Sequence, residues 1–394
     1  MDGEGCWDFP SDAFAEILLR LPATSRRRFR LVCRHWCDVI DDRAPARPSE
    51  PKPLTYVIRD RGWSCATGSA YVIDDPAAEG RCREVWRGGP LPATGCCFDT
   101  RMVGTCNGLL CLCDNTRPGG AVSLVNPATG ESLALPPLPG HARIGGIITR
   151  WHETYGFVQH PATGRYTVVH LPCYSDRTGQ LDAVRAFTLG EAVAASAWRD
   201  VAAPVGANCR LDAGLVAVDG AAYWVTKGSE RVMSFDAEDE RVAPVAALPV
   251  AVVDGNCCHL TEVRGRLGFV VTVDEPKLAR VEVWVLEGGR DGRAWSCRYR
   301  VQVHGAPKAS RQQLARPHFV FARAGECVLT IGPEDRESVV FAHRLAGAGR
   351  LQCGEVRTNE RKPGTPVARA RNAHIRTFAY VETREPLSVY SRAR

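Results

Sequence analysis

Apolar residues at Phe14, Ile17, Leu18 and Leu21 recur at steps of three and four, so the stretch after Phe9-Pro10 presents one helical face. Ser11 or Asp12 can cap its start through a side-chain oxygen. Pro22 ends it, having no N–H and restricting the residue before it. A second helix should follow, capped by Thr24 or Ser25, with Phe29, Val32, Cys33, Trp36 and Ile40 in the same rhythm. Arg26, Arg27, Arg30 and Arg34 form its polar face. Helical units below about 40 residues rarely bury enough apolar surface alone. The surface left over implies a partner.

From Asp41 to Leu54 the pattern disappears, and Pro45, Pro48, Pro51 and Pro53 alternate with charged and polar residues. Such composition favours extended polyproline conformation and reads as a linker. Beyond it, short runs rich in Val, Leu, Tyr and Trp are separated by Gly, Pro, Asn and Asp, which is strand punctuation. These runs are Leu54 to Ile58, Ala70 to Ile73, Leu109 to Leu112, Arg165 to Leu171, Leu215 to Val218, Ala222 to Thr226, Leu267 to Val273 and Val281 to Leu286. A helical period returns only around Arg311 to Ala315. After Val303 the pattern loosens, with strands at Phe319 to Phe321, Cys327 to Ile331, Val339 to Ala342 and Ile375 to Tyr380. Arg361 to Arg371 reads as a loop. The large domain is predicted to be all-β.

Internal similarity sets its architecture. Val125-Asn126-Pro127-Ala128-Thr129-Gly130-Glu131 aligns with Phe235-Asp236-Ala237-Glu238-Asp239-Glu240-Arg241 at an offset of 110 residues, and both run without a gap to Leu138-Pro139 and Leu248-Pro249. Asn107-Gly108 aligns with Asp219-Gly220 at 112, and Gly220 precedes Gly265 by 45. Pro161-Ala162-Thr163-Gly164 repeats Pro127 to Gly130. A spacing near 45 matches one four-stranded propeller blade, so Leu54 onward supplies about six or seven blades. Asn107-Gly108 and Asp219-Gly220 provide the positive φ angles of tight turns. Asn126, Gly130 and Asp236 mark hairpin tips, and Trp224 and Trp284 lie in the strands.

The chain has 394 residues, 45% of them hydrophobic and 24% charged, so a sizeable core can form. The net charge of +6 is scattered apart from Arg26-Arg27-Arg28 and the tail beyond Arg357, which disfavours nucleic acid as a partner. Residues 1–6 are polar and read as a disordered N-terminus without a secretory signal. No run of about 18 apolar residues offers a membrane span, so the expected compartment is cytosol, nucleus or both. Seventeen cysteines there are expected to be reduced.

The remaining motifs carry no recognisable catalytic pattern. Cys106, Cys111 and Cys113, the pair Cys96-Cys97, and Cys257-Cys258-His259 do not supply two pairs at zinc-ligand spacing, and buried thiols are the favoured reading. No nucleophile elbow, phosphate loop or His-Glu-x-x-His motif occurs, since His152-Glu153 lacks the second His. No catalytic residue, metal or cofactor is expected. Trp151, Trp198, Trp224, Trp284 and Trp295 could line a ligand groove, although blade packing is the commoner use of such residues.

Two resemblances give these patterns a role. Phe9-Pro10, Ile17-Leu18, Arg20-Leu21-Pro22, Arg30-Leu31-Val32-Cys33-Arg34 and Trp36 resemble an F-box, the segment that binds the Skp-type adaptor of a cullin-based ubiquitin ligase. Phe9 stands where that family has Leu, and Arg26-Arg27 interrupt its apolar surface. The resemblance implies adaptor contacts at Phe9, Pro10, Ile17, Leu18, Leu21, Pro22, Leu31, Val32 and Trp36. Cys106 to Cys111, Val125 to Glu131, Tyr155 to Phe157, Gly164 to Val169, Gly220 to Trp224, Ser234 to Asp236 and Val281 to Trp284 resemble the F-box-associated, kelch-like region of plant F-box proteins. The expectation is an F-box helical module at 7–40, a linker at 41–54 and a kelch-like propeller at 55–394, least defined from 304 on. The implied role is a non-catalytic substrate receptor whose partners are the adaptor, a cullin reached through it, and a target protein. An F-box-like scaffold without an adaptor, or a propeller binding a small ligand, are the alternatives.

Overall fold

The computed structural model describes residues 11–20, 29, 32, 35–36, 39–40, 51–60, 65–74, 82–88, 98–139, 151–160, 163–171, 183–190, 197–210, 213–251, 257–275, 278–288, 294–304, 321–322, 327–334, 337–344, 354–357, 365–371 and 373–391. Helix α1 (Ser11–Arg20) opens it. The strands follow: β1 (Lys52–Asp60), β2 (Cys65–Ile73), β3 (Cys82–Arg87), β4 (Phe98–Cys106), β5 (Leu109–Asp114), β6 (Ala121–Val125), β7 (Ser132–Ala134), β8 (Tyr155–Gln159), β9 (Tyr166–His170), β10 (Ala183–Thr188), β11 (Arg199–Ala202) and β12 (Leu215–Val218). Next come β13 (Ala221–Val225), β14 (Arg231–Asp236), β15 (Arg241–Ala247), β16 (Cys257–Val263), β17 (Arg266–Glu275), β18 (Leu278–Glu287) and β19 (Ala294–His304). The last are β20 (Phe321–Ala322), β21 (Cys327–Glu334), β22 (Glu337–Arg344), β23 (Gly354–Arg357), β24 (Thr365–Arg371) and β25 (Ala373–Tyr380), before a single turn of helix, α2 (Ser388–Ser391).

The described strands form five sheets: an eight-stranded one ordered β25-β1-β2-β4-β5-β6-β7 with β3 on β2, then β11-β10-β9-β8, β12-β13-β14-β15, β16-β17-β18-β19-β23 and β20-β21-β22-β24. The blade count of six or seven is thereby corrected to five. Its cause is local: β2 and β4 pair in parallel at Cys65↔Phe98 and Ala66↔Asp99, which merges two antiparallel groups into one sheet. Spacing along the sequence does not register such a merger.

Within the eight-stranded sheet β25 lies beside β4, and β4 is followed side by side by β8, β12 and β16, the first strands in sequence of the next three sheets. Apolar side chains pack in layers. Leu54, Tyr56, Val72, Met102, Leu110 and Leu112 fill one within the eight-stranded sheet, and Val169, Ala186, Trp224, Met233 and Phe235 interleave between two neighbouring sheets. Burying each large side chain contributes about 1.5–3 kcal/mol, so these layers dominate stability. The C-terminal strand closes the arrangement, with β25 antiparallel to β1 from Lys52↔Tyr380 to Arg59↔Ala373.

Two segments differ from the sequence expectation. Strand β1 begins at Lys52, inside the proline-rich stretch, because Pro53 sits where a strand start tolerates a missing N–H. Thr365–Arg371, expected as a loop, is strand β24; a one-residue bulge in β24 at Val367, opposite Val340/Phe341 of β22, lies next to Pro366 in the pairing. The helical period at Arg311 to Ala315 lies outside the described residues.

Candidate functional site

The N-terminal module builds its own core. Ala15, Leu18, Val39 and Ile40 are buried together, with Phe14, Phe29 and Trp36 packed around them. Trp36 meets Phe14 edge-on at 4.7 Å and Phe29 at 5.2 Å between ring centroids. Of the described residues of the second predicted helix, Phe29, His35, Trp36, Val39 and Ile40 are helical and Val32 lies in a turn. This packing sorts the predicted contact residues. Leu18, fully buried, is core and is not on the module's surface. Ile17 and Val32 remain 48% and 58% exposed, two large apolar side chains facing solvent. Trp36 is half-buried. Phe9, Pro10, Leu21, Pro22 and Leu31 lie outside the described residues, as do Arg26 and Arg27.

The repeat residues fall at turns of one type. Asn107 and Gly108 have φ of 46° and 80°, Asp219 and Gly220 of 45° and 78°, and Arg264 and Gly265 of 52° and 74°. Positive φ at both central residues is the hairpin turn that matches strand twist. At the next tips, Asn126 Oδ1 accepts from the Ala128 N–H at 2.9 Å and Asp236 Oδ1 from the Glu238 N–H at 2.8 Å. Gly130 and its counterpart Glu240 both take positive φ, 75° and 46°. His160 plays the Asn126 part in a third tip, its Nδ1 accepting from the Thr163 N–H at 3.0 Å.

In one region these turns hold something further. After β25 the chain runs across them as a strap, Val381 to Ser391. Asn107 Nδ2 donates to the Tyr166 hydroxyl at 2.7 Å and to Glu385 Oε2 at 3.0 Å. Tyr166 donates its hydroxyl to the same carboxylate oxygen at 2.7 Å. Asn126 Nδ2 donates to the Glu385 carbonyl at 2.7 Å. Glu131 Oε2 accepts from the Leu387 N–H at 2.8 Å, and that amide holds the Glu131 carboxyl below its usual range. Glu385, Leu387 and Tyr390 lacked any periodic signal in the sequence. A hint was available: Asn107 and Asn126 sit beside buried apolar strands, where an amide side chain needs a partner.

The five candidate groove tryptophans belong to packing. Trp151 and Trp224 are buried in inter-sheet layers. Trp198, Trp284 and Trp295 pack against such layers. Indole N–H groups of Trp198, Trp224 and Trp295 donate to the carbonyls of Pro136, Ala207 and Ala247. Cys111 and Cys113 are buried free thiols, and burial pushes the Cys106 thiol up to about 12. Among the described residues, no His, Cys, Asp and Glu side chains group closely enough to hold a metal. No described helix is long and apolar enough to cross a membrane.

A helical module followed by a series of mostly antiparallel sheets defines a two-part fold class, and comparison with known proteins agrees. Residues 7–46 match the F-box domain, and residues 91–345 match the F-box associated beta propeller domain. The chain belongs to the F-box associated beta propeller family. Relatives from Arabidopsis thaliana include F-box protein At3g07870, 25% identical over 82% of this chain and 79% of its own length. F-box protein At2g43440 is 25% identical over 72% of this chain and 64% of its own, and F-box/kelch-repeat protein At2g43445 is 24% identical over 73% and 64%.

Proposed function

We propose that this protein is the substrate-recognition subunit of a Skp, cullin and F-box ubiquitin ligase, working in cytosol or nucleus. The observation that carries the reading is the pair Ile17 and Val32, exposed while Ala15, Leu18, Val39 and Ile40 are buried together among the described residues of the module. Apolar side chains left outside such a cluster are available to a partner surface. The F-box match at 7–46 supports the Skp-type adaptor as that partner, with the cullin reached through it.

The receptor makes and breaks no bonds. Its contribution is proximity. A target held by the propeller is presented at high effective concentration to a ubiquitin-conjugating enzyme bound elsewhere in the complex. Loops and turns on a rigid sheet scaffold are where such binding residues concentrate.

The test is reconstitution. Purified protein, adaptor, cullin and RING subunit should elute as one complex in size-exclusion chromatography. Persistent separation of this chain from the adaptor would contradict the proposal.

A further inference from the structure

The strap from Val381 to Ser391 pairs with no sheet, yet it is anchored by side chains as a bound peptide would be. Glu385 is 4% exposed and Leu387 is 1% exposed. The Glu385 carboxylate gathers donors from the β4–β5 turn, from β9 and from the strap itself, through Asn107, Tyr166 and Tyr390. Leu387 enters the apolar layer of Leu109, Cys111, Leu124 and Tyr166. Tyr390 stands edge-on to Tyr166 at 5.9 Å. The three anchors are thus Glu, Leu two residues later and Tyr five residues later.

The receiving surface is shaped for this chain. A Cβ on Gly108 would lie 2.3 Å from the Val381 carbonyl oxygen, and one on Gly190 would lie 3.1 Å from the Tyr390 ring. The same turn at Arg264-Gly265 is open among the described residues, none of which comes within 4 Å of a Cβ on Gly265. Equal backbone geometry therefore meets a bound segment in one place and open space in another. The groove belongs to this pair of strand groups and is not a by-product of the repeat.

We infer that this groove is a peptide-recognition site, occupied in cis by the protein's own C-terminal strap, and that a target segment with the anchors Glu-x-Leu-x-x-Tyr displaces it. The inference rests on the reading of the propeller as the target-binding domain and names the chemistry of the target. Extended peptides docked through spaced side-chain pockets are a common recognition mode. A cis occupant weakens apparent affinity for a competitor in proportion to the fraction of time the groove is free. The strap is then an internal competitor that screens out targets lacking the anchors.

A fluorescent peptide of residues 381–391 is titrated into the full chain and into a full-length Glu385→Ala, Leu387→Ser variant whose own strap is weakened. The variant should bind the peptide at least about tenfold more tightly than the parent. Adding Asn107→Ala, or using a peptide with Ala in place of its Glu, should abolish the gain. A folded variant that binds no better than the parent, or binds both peptides alike, overturns the inference. If the variant does not fold, excess peptide added to the parent should speed hydrogen exchange at residues 383–390, and unchanged exchange overturns it equally. No adaptor is present in either assay, so failure here is separate from failure of the ligase assignment.

Discussion

Asn107 donates a hydrogen bond to Glu385 at 3.0 Å, although 278 positions separate them in the chain. Tyr166 completes a triangle, accepting from Asn107 and donating to Glu385. Burial pushes the Tyr166 hydroxyl far above its ordinary range, so it remains a donor at any pH the protein survives. The turn, the strand and the strap are thus joined through one carboxylate.

Replacing Glu385 by Ala takes the acceptor from one amide, that of Asn107, and from two hydroxyls, those of Tyr166 and Tyr390. Each unsatisfied group costs about 1–3 kcal/mol, so a loss of at least about 2 kcal/mol is expected. Glu385→Gln, which keeps an acceptor oxygen, should lose less. Thermal unfolding of the three proteins measures the order.

Gly108→Ala and Gly265→Ala separate two costs. Both positions have positive φ, 80° and 74°, so each substitution carries about 1 kcal/mol of backbone strain. Only at Gly108 does the new Cβ also strike the strap. Gly108→Ala should raise susceptibility of the C-terminal residues to proteolysis, and Gly265→Ala should leave it unchanged.

Particular residues show what was legible in the sequence. Asp219-Gly220 and Asn107-Gly108 announced tight turns because φ above zero is nearly confined to Gly and Asn or Asp, and they occur at those turns. Strands such as Leu215–Val218 were readable to the residue because turn formers flank an apolar run. The blade count was not readable, since a parallel contact of two residue pairs between β2 and β4 leaves no periodic trace. Strand β24 was hidden by Pro366 and its arginines. In the module, one helical face held both Ile17 and Leu18. Periodicity identifies that face but not which neighbour the second helix covers, and the structure buries Leu18 and exposes Ile17. The strap escaped notice because Glu385 and Leu387 act one by one through long-range contacts.

The buried thiols predict an alkaline limit. Burial raises Cys106 to about 12 and also raises Cys111 and Cys113. In the unfolded chain a thiol ionises near its ordinary value of about 8.5, whereas in the folded protein it does not. Folded values above unfolded ones mean that the contribution is complete below about pH 8.5 and is lost as pH rises toward 12. The denaturation midpoint should fall steadily from pH 8.5 upward. Mass-mapped alkylation of the native protein at pH 8 should label exposed Cys82 and spare buried Cys111 and Cys113.

Leu18→Ala should act differently from changes at Ile17 or Val32. Truncating a fully buried leucine costs about 2–5 kcal/mol and should melt the N-terminal module before the sheets. Polar substitution of Ile17 or Val32, already in water, should change module stability by about 0.5 kcal/mol or less.

The most direct measurement of the central claim is calorimetric titration of a purified Skp-type adaptor into the full-length protein and into its Ile17→Asp, Val32→Asp variant. The account predicts submicromolar binding by the parent and at least about a hundredfold loss in the variant, with unchanged melting of both. A parent that is folded and binds no adaptor, or a variant that binds as well as the parent, would contradict the assignment of this surface to the adaptor.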